Sequence, residues 1–279
     1  MQMDKRFSGD RSKSSTWIDA EKCDAFDYDK LMQRLRELAA RRGLRIQNLG
    51  DIEGYPLLLL TPITLNEGPR VLFAAGFHGD EPAGCWGITR FLDSSESFYS
   101  LTLSFLPLVN PTGFHKHKRT NIWGEDPNRG FFHNNPTVHR GPDEPPPSRE
   151  GQILLKHLPL LTSLASHGFL SLHEDMEYLK CYLYTFETSL TPGLFSHALR
   201  AEAAKFFDFF PDGPLEGGFV REGIIFDYRD GSFEDLLFHS GIPRTACTEI
   251  PGLADINKRI EANSGLIAAL ARFVLPQSE

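Results

Sequence analysis

From residue 28 onward, short apolar runs of strand length alternate with longer segments patterned like helices, and this alternation constrains the fold more than any other feature. Strand, helix and strand in succession build a sheet covered by crossover helices, so the pattern calls for a layered α/β fold with a largely parallel or mixed sheet. Tyr28–Arg42 carries Leu31, Leu35 and Leu38 at helical spacing with charges between them, and Gly43 follows as a stop. Further helices are expected over Pro82–Leu92, Arg149–Leu164, Pro192–Phe207, Gly231–His239 and Ala254–Val274. Strands are expected over Leu44–Asn48, Tyr55–Thr61, Val71–Gly76, Leu101–Val109, Phe169–His173, Cys181–Phe186 and Arg244–Thr248. Residues 110–148 are polar and rich in Gly, Pro, Asn and His. A loop of that length in a compact domain is usually either functional or disordered. Residues 1–15 are polar and expected to fray.

Length allows one or two domains, but no repeat, heptad pattern or Pro- and Ser-rich linker divides the 279 residues. A single domain follows. Twenty-nine Lys and Arg against 37 Asp and Glu leave a net charge of −8, which argues against holding nucleic acid or an anionic membrane. No apolar run approaches the roughly 18 residues of a membrane span. The first twenty residues contain no apolar signal-peptide core. Cys23, Cys85, Cys181 and Cys247 are widely spaced without a CxxC pair, the pattern of reduced thiols, so a cytoplasmic location is expected.

GxSxG, GxxxxGK[ST], GxGxxG and HExxH are all absent. The chemistry-bearing residues that remain fall at expected strand ends, where ligands bind in open α/β sheets. In GFHGDEPAG, His78 and Glu81 flank a turn, because Pro82 suits a first helical position and biases Glu81 away from helical geometry. An imidazole and a carboxylate placed there can take two positions on one Zn²⁺. In FLSLHEDME, His173 ends a short strand and could supply a third ligand, leaving one position for water. In PRTACTEIPG, Glu249 ends another strand and could take and return a proton. The loop NPTGFHKHKRTNIWGEDPNRGF gathers Lys116, Lys118, Arg119, Asn128 and Arg129, a cationic cluster suited to a carboxylate. Taken singly, each has an ordinary alternative: turn residues in water, a packed histidine, a surface glutamate, a solvated basic loop.

Taken in order, His78-x-x-Glu81, Asn110-Pro111-x-Gly113, Arg119, Asp126–Phe131, His173 and Glu249 resemble the zinc metallocarboxypeptidases of the M14 (carboxypeptidase A-like) group, from about residue 55 to 275. Tyr228–Phe233 is similar to the Y-x-x-x-G-S-F stretch of bacterial murein-peptide amidases (γ-D-glutamyl-diaminopimelate peptidases). Gly141–Gln152 departs from the family's G-P-x-x-x-S-E-P-E region, so a differently shaped loop is expected there.

The resemblance implies a twisted mixed sheet of about eight strands with helices on both faces. Residues 51–279 would form the catalytic domain, and 1–50 an extension whose helix packs on it. It implies one Zn²⁺ held by His78, Glu81 and His173, with Glu249 as general base and acid. Arg119 would stabilise the oxyanion, Asn128 and Arg129 would clamp the substrate's free carboxylate, and Tyr228 would cover the bound residue. Either Phe233 or Glu234 would line the side-chain pocket, apolar in the first case and cation-binding in the second; a one-residue shift decides between them. The implied substrate is a small peptide, with a cell-wall peptide among the options. An N-acyl-amino-acid deacylase of the succinylglutamate desuccinylase/aspartoacylase type is the nearest alternative, and a zinc-binding protein without catalysis is a further one. Glu174, Asp175 and Glu177 are expected to face substrate or brace ligands rather than hold a second metal. His115, His117, His133 and His139 are expected in solvent, and Cys247 as a small buried side chain.

Overall fold

The computed structural model describes residues 25–65, 67–94, 100–131 and 145–275. Residues 1–15, His133 and His139 lie outside this set, as do residues 141–144 at the start of the departing segment. The chain runs α1 (Tyr28–Arg42), β1 (Leu44–Ile52), β2 (Tyr55–Pro62), β3 (Arg70–Ala75), α2 (Pro82–Asp93) and β4 (Thr102–Leu106). It continues with α3 (Pro111–Lys116), α4 (Arg149–Lys156), α5 (Leu158–Leu164), β5 (Gly168–Asp175), β6 (Tyr182–Glu187) and α6 (Leu194–Ala203). β7 (Gly213–Leu215), β8 (Gly218–Val220), β9 (Ile224–Phe226), α7 (Phe233–His239), β10 (Arg244–Pro251) and α8 (Ile256–Val274) complete it. No helix among the described residues is long and apolar enough to cross a membrane.

One sheet of eight strands, in the order β1-β2-β4-β3-β5-β10-β6-β9, organises the molecule. β4, β3, β5 and β10 run parallel at its centre, and antiparallel pairings begin on either side of that block. The central strands are apolar on both faces, as a sheet covered twice requires. In β3, Val71, Phe73 and Ala75 join the cluster beneath α1, α2, α6 and α8. Leu72 and Ala74 point the other way, into the cluster shared with Leu154, Leu161 and Leu237 of α4, α5 and α7.

The expected α1 coincides with the observed one: Asp27 caps its start, and Gly43 closes it in the left-handed region at φ 65°. The helix expected over residues 149–164 is two helices meeting at His157. Pro159 supplies the reason, since it offers no N–H and its ring opposes the carbonyl four residues back. Within the long polar segment, Asn110 caps the short helix α3 by accepting from Gly113 N at 2.8 Å. The three-residue strands β7, β8 and β9 were too short to stand out from their turns.

Close approach between α2 and the sheet fixes where the first turn of α2 sits. A Cβ on Gly84 would lie 2.8 Å from Leu172 O and 2.9 Å from its Cβ. Gly84→Ala should therefore push α2 off β5 and lower stability by about 1–3 kcal/mol. Thermal unfolding checks this, and an unchanged midpoint would show that the helix shifts freely.

Candidate metal centre and cleft

His78 and Glu81 sit on the turn between β3 and α2, and Pro82 opens the helix at its first turn. His173 lies on β5 and Glu249 on β10, and the two residues are paired across these adjacent parallel strands. The turn and the strand ends thus bring together residues separated by up to 171 positions. His78, Glu81 and His173 are all buried, with 2%, 2% and 1% of their surfaces exposed.

His78 Nδ1 lies 2.6 Å from Glu81 Oε1, His173 Nδ1 lies 2.9 Å from Glu81 Oε2, and the two Nδ1 atoms are 3.2 Å apart. Three donors of zinc-binding type therefore face one point. Bond lengths of about 2.0–2.1 Å in a tetrahedral site place neighbouring donors about 3.3 Å apart, so the observed spacing fits a single ion. The electrostatics are consistent with a cation there. Burial disfavours the charged form of Glu81, yet the two imidazoles outweigh it and hold the carboxyl far below its usual range. Burial pulls both histidines down, and the Glu81 charge more than reverses this, leaving both raised.

The outer edges of these donor residues are braced. Asp126 Oδ1 lies 3.2 Å from His78 Nε2, the carboxylate–histidine arrangement that fixes a ligand's tautomer. Glu81 accepts a bond from Glu174 N at 3.2 Å and so leaves its own helix uncapped. The Glu174 carboxylate provides that cap by accepting from Ala83 N at 2.6 Å, and it also pairs with Arg259 of α8. Burial pushes the Glu174 carboxyl up to about 7 despite Arg259. The braces Asp126, Glu174 and Arg259 have no spacing signature. Asp126 was legible only as part of the D-P-N-R run, and Arg259 only as one charge among several on a helix. Among the described residues, Glu174, Asp175 and Glu177 form no second donor group. Tyr182 donates its hydroxyl to Asp175 at 2.6 Å.

A cleft opens beside the donor group and is lined by Arg119, Arg129, Tyr184, Tyr228, Cys247 and Glu249 among others. Arg119 is half-exposed, with Nη1 3.8 Å from Glu81 Oε1 and Nη2 3.3 Å from Asp126 Oδ2. Its backbone carbonyl accepts from Asn110 Nδ2 and Gly79 N, which anchors the loop over the metal turn. Arg129 Nη2 lies 3.2 Å from Asp230 Oδ2. Tyr228 stands 5.8 Å from Tyr184 between ring centres, its hydroxyl against Gly217. Cys247 Sγ lies 3.5 Å from Glu249 Oε1. Burial, reinforced by Glu81 and Asp175, raises the Glu249 carboxyl to about 8 against the pull of His173.

Two expected roles change. Phe233 is not among the residues lining the cleft: it is fully buried and packs on Phe77, Phe131 and Phe169 in the cluster shared with α4 and α5. Residue 234 is the one beside the cleft. Asn128 is turned inward. Its Oδ1 accepts from Phe233 N at 2.9 Å and its Nδ2 donates to Glu234 Oε2 at 3.2 Å. Both ends of the Asn128 amide are thus engaged within the protein, and Asn128 and Arg129 both line the cleft.

Comparison with known proteins agrees with this arrangement. The family model for the succinylglutamate desuccinylase/aspartoacylase catalytic domain matches residues 67–204. No curated protein matches the chain in sequence. A structure from Shewanella amazonensis SB2B, provisionally named a metallopeptidase, is 39% identical, with a TM-score of 0.87 over 93% of this chain and 98% of that one. A similarly named structure from Shewanella baltica OS155 is 37% identical, with a TM-score of 0.86 over 92% and 96%. Murein-tripeptide amidase MpaA from Escherichia coli O157 shares the fold at 17% identity, with a TM-score of 0.54 over 84% and 93%. A chain with this donor group, this sheet and these relatives is a hydrolase and belongs to the same metallopeptidase family as the two Shewanella structures.

Proposed function

We propose that the protein is a zinc-dependent metallocarboxypeptidase or amidase that hydrolyses the C-terminal amide bond of a small peptide in the cytoplasm. The observation that carries this reading is the convergence of two guanidinium groups, Arg119 and Arg129, with the His78–Glu81–His173 donors and Glu249 on one cleft. Such a cleft offers a place for a metal, a base, an oxyanion and a free carboxylate together. A cell-wall-derived peptide is a suitable substrate, in keeping with the Tyr228–Phe233 stretch. Cys85, Cys181 and Cys247 are free and buried, as suits a reducing compartment.

His78, Glu81 and His173 would hold the zinc, which supplies a water of pKa near 7 and polarises the scissile carbonyl. Glu249 accepts a proton at its carboxylate and returns it to the leaving amine. Arg119 faces the donor group from the solvent side, where a guanidinium stabilises charge developing on the carbonyl oxygen. Arg129 orients the substrate by its terminal carboxylate and exchanges Asp230 for it as substrate enters. Tyr184 and Tyr228 wall the space for the terminal residue.

A second reading, an N-acyl-amino-acid deacylase, is favoured by the family-model match over residues 67–204. It uses the same donors and the same carboxylate clamp. Release of a C-terminal amino acid from di- and tripeptides is expected. Turnover of N-acetyl-aspartate or N-succinyl-glutamate with no turnover of any peptide would select the deacylase instead.

His78→Ala and His173→Ala should each abolish stoichiometric zinc, read by metal analysis of the purified protein; retained zinc would reject the ligand set. Glu249→Gln should keep its zinc and lose about 10²–10⁴-fold in kcat. The pH profile has a definite sign. Glu249 must be ionised to act, so kcat/KM should rise with pH through its pKa. A bound cation lowers that pKa, so the acid limb should fall between the ordinary 4.5 and about 8. A limb outside that window would show that another group is the base.

A further inference from the structure

The inference concerns Glu234 and rests on the His78–Glu81–His173 reading above. His173 presents two different edges to its surroundings. Its Nδ1 edge faces Glu81 Oε2 and His78 Nδ1, the donors of the metal centre. Its Nε2 edge faces the opposite way, toward Asn128 Nδ2 at 3.4 Å and Glu234 Oε1 at 3.7 Å. A neutral imidazole that offers Nδ1 to a cation carries its proton on Nε2, and that proton needs an acceptor. Asn128 cannot provide one. Its Oδ1 is taken up by Phe233 N, which fixes the amide so that Nδ2, a donor, points at His173 and Glu234. The Glu234 carboxylate is the nearest acceptor, at 3.7 Å, so the ring and the carboxylate must close by a few tenths of an ångström to form the hydrogen bond.

Glu234 is built for that duty and poorly built for reaching a substrate. None of its surface is exposed. Its backbone carbonyl accepts from Thr245 Oγ1 at 3.0 Å, its carboxylate is held by Asn128, and Ser232 caps the helix that carries it. A buried carboxylate needs a positive or strongly donating partner, and His173 bound to a cation is such a partner. The arrangement mirrors the other ligand, where Asp126 meets His78 Nε2.

We propose that Glu234 is a positioning residue for the metal centre, accepting the Nε2 proton of His173 and setting its tautomer and orientation, and that it is not the acid of a cation-binding side-chain pocket. Asn128 completes the device by holding Glu234 in place, which accounts for its inward turn. Cys247 offers a competing geometry, since its sulfur together with His173 and Glu234 forms a second compact donor group on the Nε2 edge. A metal seated there would strip the Nε2 proton and leave Glu234 as a ligand.

Glu234→Gln in the full chain tests this, because it keeps the side chain's shape and an oxygen for Asn128 while weakening the acceptor. Zinc affinity measured by chelator competition should fall about 10–100-fold. The visible spectrum of the Co²⁺-loaded protein should shift, and the ranking of C-terminal Lys, Arg, Ala and Phe substrates should stay unchanged. Equal zinc affinity with lost preference for Lys and Arg substrates would overturn the proposal in favour of a cation-binding pocket. A cobalt–thiolate charge-transfer band in the wild type would overturn it in favour of the Cys247 site. A measurement on the zinc-loaded wild type needs no variant to fold: nitrogen-resolved NMR of the His173 ring should show Nε2 protonated, and a bare Nε2 overturns the proposal. A wild type that holds no zinc fails the proposed function and this inference together. A wild type that binds zinc while Glu234→Gln binds it equally well fails this inference alone.

Discussion

The burial of one carboxylate between two imidazoles is the constraint on which the rest of this structure depends. Glu81, His78 and His173 have their donor atoms about 3 Å apart, away from water, at the edge of a close-packed sheet. Such a group is costly unless charge is balanced and every edge is bonded. Much of the surrounding architecture meets that demand. Gly84 lets α2 sit against β5, Glu174 caps α2 and steadies Glu81, and Arg259 reaches in from α8 to pair with Glu174. Asp126 and Glu234 close the outer edges of the two histidines.

The cleft inherits its polarity from this arrangement. Carboxylates are used up by ligands and braces: Asp126 by His78 and Arg119, Glu174 by Arg259. Arg119 and Arg129 remain at the surface of the cleft, with Arg129 resting on Asp230. A chain with a net charge of −8 thereby keeps two guanidinium groups, each paired with an aspartate, beside a buried candidate metal centre. Glu249 is desolvated near the end of β10, on the strand beside His173.

The alternation of strands and helices was legible because both faces of the central sheet are buried, which makes β3 and β5 continuous apolar runs. The donor residues His78 and Glu81 were legible as candidates because their spacing follows from local geometry: a strand end, a turn and a proline at the first helical position. What the sequence hid were contacts made across long separations. Whether residue 233 or 234 faces the cleft depends on how the start of α7 sits against β10, and nothing local fixes that. Asn128 looks like a carboxylate clamp beside Arg129, yet the unpaired N–H at the start of α7 draws its amide inward. Glu174 and Arg259 meet across 85 residues, and neither carries a motif. The break between α4 and α5 is different in kind, since Pro159 stands in the sequence but within a run of strong helical periodicity that masks it.

The central claim is that His78, Glu81 and His173 bind one zinc ion through nitrogen and oxygen alone. X-ray absorption at the zinc edge of the purified protein measures this directly. The account requires nitrogen and oxygen scatterers at about 2.0–2.2 Å, two of them imidazoles, and no sulfur. A sulfur scatterer at about 2.3 Å would place the metal on Cys247 instead and contradict it.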